Sequence, residues 1–431
     1  MIRPASRPIR FLVRGTARWR ERLAVCAVLA AALATALAAA GWAGAPSAAF
    51  AAKYDPGASD TEIKVGNIMP YSGPASAYAV IGYAIQAYFK KVNAEGGING
   101  RKVNLISLDD GYSPPKTVEQ ARRLVEQEQV LLLFASLGTA TNSAIQKYMN
   151  SKRVPQLFVV TGASKFGKPR EYPWTMGFIT PNDAEAKVYA KYVLRAAPDA
   201  RIGVLYQYDD FGKDYLTGFK QGLGARAGQI VMEQTYEVTA PTVDSQIVNL
   251  KNSGATVFLN ISTPKFAALA IRKAAEIGWK PLHIVGRISA SVGTVMIPAG
   301  VENAKGIVSS NFMRDPDDPE WSASPEVTAW RLWMKKYNPQ ANPLETENVT
   351  GYTFSQALVQ VLKQCGDELT RDNVMRQAAN LKNLELPMLL PGIRVNTSPT
   401  DYYPVKQMQM LRFTGDRWER FGPIIGAELG S

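Results

Sequence analysis

Few side chains in this sequence can do covalent or metal chemistry. There is one histidine, His283, and there are two cysteines, Cys26 and Cys365. A nucleophilic pair needs a base beside its nucleophile, and nothing in the spacing brings His283 to either thiol. His283 sits in the apolar run LHIVGRI and reads as a core residue. GASKF (162–166) opens like a nucleophile elbow around Ser164 but lacks the closing glycine. No phosphate-cradling P-loop and no G-x-G-x-x-G occurs. DPDDPE (315–320) is dense in carboxylates, yet its spacing is not that of a calcium loop, and a solvated loop is expected. No catalytic residue, metal or cofactor is therefore expected. What remains is binding chemistry. The stretch NIMPYSGPASAYAVIG (67–82) is rich in hydroxyls and small residues, with no acid, His or Cys. Glycine and small side chains let backbone donors approach a solute closely.

The surrounding pattern must position such loops. After residue 60, strand-like and helix-like segments alternate. Candidate strands are 63–69, 102–109, 130–136, 155–161, 175–180, 201–208, 230–237, 256–262, 282–288 and 306–312. Several are near-continuous Val, Ile, Leu and Phe, as strands buried on both faces require. Amphipathic helices are expected at 117–129, 139–152, 184–196, 213–227 and 265–277. Longer ones follow at 327–337, 348–365 and 371–382, then strand-like alternation over 405–422 with a turn at Thr414-Gly415-Asp416. Strand–helix alternation argues for an α/β fold with parallel sheets covered on both faces. Interruptions after Ser164 and after Phe312 divide it into two doubly wound lobes, with the chain crossing between them more than once.

Composition agrees. The chain has 431 residues, 46% apolar and 20% charged, enough for a full core. Its net charge is +12, and half of that excess comes from seven arginines and one glutamate in the first 51 residues. The rest is only modestly basic and does not call for nucleic acid. Those 51 residues read as an export signal: an arginine-rich start, the uncharged stretch 23–45, and Ala49-Phe50-Ala51 as a cleavage site after Ala51. A permanent membrane anchor is the alternative reading. Cys26 lies inside the apolar stretch and is no lipid-bearing cysteine. With Cys365 alone in the mature part, no internal disulfide can form. A bacterial periplasm is the expected compartment, and a monomer the expected state.

The run IKVGNIMPYSGPASAYAVIGYAIQAYFKKVNAEGGINGRKVNLISLDDGYSPPKTVEQARRLVEQEQV, together with LGTATN (137–142), DDFGKDYLTGFK (209–220) and Ser253-Gly254-Ala255, resembles the branched-chain amino acid type of ABC-transporter solute-binding protein. The resemblance spans residues 61–430. It implies a type I periplasmic binding fold, in which two lobes joined by a three-strand hinge close on a ligand. It assigns 61–177 plus 316–395 to one lobe, and 182–306 plus 396–431 to the other. It implies a non-enzymatic role: a small molecule is captured and delivered to a membrane permease driven by ATP-hydrolysing subunits. The ligand contacts it implies are Tyr71, Ser72, Ala77 and Tyr78; Leu137, Gly138 and Thr139; a carboxylate-binding turn of Thr161, Gly162, Ala163 and Ser164; and Phe211, Ser262, Thr263, Arg287 and Ile288 on the facing lobe.

One departure bears on the ligand. Members that bind α-amino acids place an acid near the Gly286–Ser289 turn, where this chain has Gly-Arg-Ile-Ser. A buried ammonium without a partner costs several kcal/mol. The expected ligand is therefore a carboxylate with an aromatic or apolar body. Branched-chain or other amino acids, amides and urea are the alternatives, with Asp209 or Asp210 as an ammonium partner if the match is shifted by a few residues. An exported α/β hydrolase using Ser164 in the same cleft is the reading from another class.

Overall fold

A computed structural model describes residues 53–426; the expected export segment lies outside them. Five parallel strands form the first sheet: β1 (Glu62–Met69), β2 (Lys102–Asp109), β3 (Leu132–Phe134), β4 (Gln156–Val159) and β5 (Thr175–Gly177), in the order β2-β1-β3-β4-β5. The second sheet repeats that order as β7-β6-β8-β9-β10, from β6 (Ile202–Gln207), β7 (Ile230–Tyr236), β8 (Val257–Ile261), β9 (Leu282–Val285) and β10 (Val308–Asn311). Two antiparallel strands, β11 (Gln407–Phe413) and β12 (Trp418–Gly426), continue it beyond β10. In such a doubly wound order the crevice lies outside the carboxyl ends of the first and third strands. This molecule has two such crevices.

Sequence explains the layers. β6 and β8 are buried along their whole length and read as unbroken apolar runs apart from single Gly, Gln or Asn positions. Helices cover them: α1 (Ala79–Ala94), α2 (Pro114–Arg122) and α3 (Thr139–Lys152) in the first lobe, α4 (Asn182–Ala196), α5 (Asp210–Leu223), α6 (Asp244–Asn252) and α7 (Pro264–Glu276) in the second. Then α8 (Pro325–Tyr337), α9 (Glu347–Cys365) and α10 (Arg371–Ala378) return to the first-lobe core, where Trp330, Trp333, Phe354 and Leu358 pack with Ile81, Ile85 and Phe89 of α1. The chain passes to the second lobe after β5 and returns after β10 through Phe312 and Met313. It leaves again between Val405, still in the first-lobe core, and Gln407, which opens β11.

Most expected elements are present, with shorter strands. The strand expected at 282–288 ends at Val285, and Arg287–Ser289 form a single 3-10 turn. The reason is local: the Arg287 N–H donates to the Glu185 carboxylate at 2.9 Å instead of continuing the ladder. Helix α6 was not anticipated, because DSQIVNLKN buries only Ile247 and Leu250 and shows little periodicity. Among the described residues no helix is long and apolar enough to cross a membrane, and no cluster of His, Cys, Asp and Glu is arranged to hold a metal.

Candidate ligand-binding site

The loops at the carboxyl ends of both sheets meet around one cavity with about 470 Å³ of space not filled by atoms. Small-molecule sites are of that order, ~300–1,000 Å³.

The first lobe builds one wall from the β3–α3 and β4 loops. Gly138 precedes α3 with φ 101°, and a Cβ there would lie 2.6 Å from both the Tyr112 ring and Thr141 Oγ1. Only glycine fits. No side chain caps α3, so the first N–H groups of that helix have no partner within it. The hydroxyls of Thr139 and Thr161 are 2.6 Å apart and tie the two loops together. Gly162 follows, packed so closely that a Cβ would sit 2.3 Å from Asn182 Oδ1. Asn182 lines the cavity, and its Nδ2 is buried without a partner. Tyr78, Ile81, Tyr112, Leu137, Val160 and Ile179 give this wall its apolar surface.

The second lobe contributes Phe211, Thr263, Arg287 and Ile288. Asp209 caps α5, accepting from the N–H groups of Phe211 at 3.0 Å and Gly212 at 3.2 Å, and so fixes the Phe211 ring. Tyr236 OH accepts the Thr263 N–H at 2.9 Å. Tyr78 OH crosses the cleft to donate to the Ile288 carbonyl at 3.2 Å.

Two buried charges face this space. Arg287 is 6% exposed, and its guanidinium lies over the Phe312 ring, Cζ 5.1 Å from the centroid. It forms no ion pair among the described residues. Glu347, the first residue of α9, is 9% exposed and lines the same cavity, also without an ion pair or hydrogen bond there. Both act on Tyr78. Burial holds that phenol well above its usual range, Glu347 pushes it further up, and Arg287 opposes.

Of the residues singled out in the sequence, Tyr78, Leu137, Gly138, Thr139, Thr161, Gly162, Phe211, Thr263, Arg287 and Ile288 line the cavity. The others lie elsewhere. Ser72 is exposed, its hydroxyl 2.6 Å from Asp109 Oδ2. Tyr71 OH bonds Ser107 and Gln86, and Ala77 lines an open surface groove beside Tyr83. Ala163 packs with Val159 and Phe166. Ser262 is buried, and its carbonyl accepts from the Ser289 hydroxyl. Ser164 gives its N–H and hydroxyl to Asp214 of the other lobe. The only histidine is far from it in chemistry: His283 Nε2 is 3.2 Å from Asn260 Nδ2 inside β9, so Ser164 has no base. Six lining residues were not foreseen: Ile81, Tyr112, Val160, Ile179, Asn182 and Glu347. Asp209 is committed to its cap, and Asp210 pairs with Lys165 at 3.0 Å. Glu347 is the acid that the Gly286–Ser289 turn lacks.

A family model described as periplasmic binding protein matches residues 62–417. The chain belongs to the periplasmic binding protein family. Within that family it is of the Leu/Ile/Val-binding type. It is 24% identical over 319 residues to Leu/Ile/Val-binding protein homolog 7 of Brucella abortus, a match covering 70% of this chain and 77% of that protein. Its fold is shared with a branched-chain amino acid ABC transporter protein from Thermus thermophilus with bound valine, at TM-score 0.78, 15% identity, and coverage of 86% of this chain and 98% of that one. It is also shared with a fatty acid ABC transporter substrate-binding protein from Thermomonospora curvata, at TM-score 0.73, 20% identity, and coverage of 88% and 96%. Against that family background, this binding protein is distinguished by an arginine on the turn after β9 and an acid at the head of α9.

Proposed function

We propose that this chain is the exported solute-capture component of an ABC importer, and that its solute is a small carboxylate with an apolar body. The protein closes on the solute in the periplasm and delivers it to a membrane permease without chemical change. The observation that carries this reading is Arg287: a buried guanidinium on the wall of an otherwise apolar cavity, with no protein carboxylate paired to it. A charge so placed needs a counter-ion, and a guanidinium matches a carboxylate in shape as well as sign. The partnerless Nδ2 of Asn182 and the uncapped start of α3 add donors on the facing wall.

A second reading is favoured by Glu347. A carboxylate solute alone would leave that acid unneutralised, whereas a solute with an adjacent ammonium would satisfy both charges. The apolar-bodied amino acids are then the class, as the valine-bound neighbour suggests by its fold.

Calorimetric titration with three solutes of one shape separates these readings: 4-methylpentanoate, its amide, and L-leucine. Both readings require the amide to bind at least tenfold more weakly than the better of the two acids. Binding of 4-methylpentanoate above leucine supports the plain carboxylate, and the reverse order supports the amino acid. An amide that binds as well as either acid removes Arg287 from the role given to it.

A further inference from the structure

Outside the cavity, the two lobes are joined by contacts made only of protein groups. Ser164 and Lys165 lie on the first-lobe turn after β4, and Asp210 and Asp214 lie on α5 of the second. Ser164 donates twice to one carboxylate, its N–H to Asp214 Oδ2 at 2.9 Å and its hydroxyl to Oδ1 at 2.6 Å. Lys165 Nζ reaches Asp210 Oδ2 at 3.0 Å. Tyr403 OH donates to the Ser164 carbonyl, and its ring fills the place that a Cβ on Gly167 would take. Thus both hydrogen-bonding faces of the Ser164 peptide are engaged.

These contacts flank the cavity without lining it. Thr161 and Gly162 are cavity residues just before Ser164, and Phe211 is a cavity residue one helical turn before Asp214. Holding Ser164 against Asp214 therefore holds the Thr161–Gly162 wall against the Phe211 wall. Asp214 is two-thirds or more withdrawn from solvent, and burial raises its carboxyl pKa despite the two Ser164 bonds, with Asp183 and Asp210 adding to the rise.

We propose that Ser164 and Asp214 form a clasp that keeps the lobes closed without a solute, making Asp214 a positioning residue for the cavity. The clasp sets how much closed protein a solute meets, and so scales the affinity for every solute alike. It does not depend on which carboxylate is bound.

Small-angle scattering on the full chain, unfolded and refolded to remove any carried solute, tests this with no solute added. The wild type is expected to be compact, with the radius of gyration of the closed form. Asp214→Ala is expected to shift to a larger radius at unchanged far-ultraviolet circular dichroism. Asp214→Asn, which keeps one acceptor for Ser164, should fall between the two, and Ser164→Thr, which keeps both donors, should stay compact. An extended wild type, or an Asp214→Ala chain as compact as the wild type, overturns the clasp. Should Asp214→Ala fail to fold, Ser164→Ala gives the same comparison, and a compact Ser164→Ala overturns it equally. Because no solute is present, this outcome is separate from the titrations above.

Discussion

Arg287 and Glu347 decide what this cavity can hold, and they were unequally visible beforehand. Arg287 stood out because an arginine occupies a turn where an acid was expected. Glu347 did not, because ENVTGY carries no motif, and only the packing of α9 against α1 brings its first residue to the cleft. If Glu347 pairs with an ammonium, Glu347→Gln should weaken leucine by about 1.5–3 kcal/mol, the worth of a charged hydrogen bond. The same change should leave 4-methylpentanoate unchanged or tighter, and calorimetry on both solutes checks the crossover. His283 makes a different prediction. It is buried and its pKa is lowered to about 3 by desolvation, against 6.5 when free. The unfolded chain therefore binds a proton that the folded chain refuses. Stability contributed by the neutral ring is full above pH 6.5 and is lost as pH falls toward 3. At pH 5 the loss is about 2 kcal/mol, at 1.36 kcal/mol per pH unit below the free value. Urea unfolding at pH 7 and pH 5 should show that gap in the wild type and a smaller one in His283→Gln.

Elements were legible where their burial is uniform, and blurred where a loop takes over. β6 and β8 appear as apolar runs and are found within a residue or so of where they were expected. β9 stops early because Glu185, on another element, takes the next backbone N–H; no local pattern encodes that. α6 was missed because an edge helix with two buried residues has almost no apolar stripe. Two predictions belong at this scale. Gly138 holds a backbone conformation that L side chains rarely adopt, with no room for a methyl group. Gly138→Ala should cost about 1–3 kcal/mol in urea unfolding and should also weaken solute binding, since Tyr112 must shift. Asp209→Ala removes the cap of α5 and should cost about 1 kcal/mol. It should also weaken binding, because Phe211 loses its fixed N–H; equal affinity for solute would mean that the cap serves the helix alone.

The whole molecule is two copies of one strand order facing each other, with the cavity where both crevices coincide. Alternation of strands and helices made the lobes readable from the sequence, and the loops after β3 and β4 pointed to half of the cavity. The interlobe contacts were not readable: Ser164 was expected to face the solute and instead reaches Asp214, fifty residues on. Such pairings depend on how the lobes meet, which no segment records by itself. The most direct test of the account is the dissociation constant of Arg287→Gln for whichever of 4-methylpentanoate or leucine binds the wild type. Removing a buried charged partner of the solute carboxylate should raise it by about 10- to 100-fold, with the fold intact by circular dichroism. A dissociation constant equal to that of the wild type would contradict a site organised around that guanidinium.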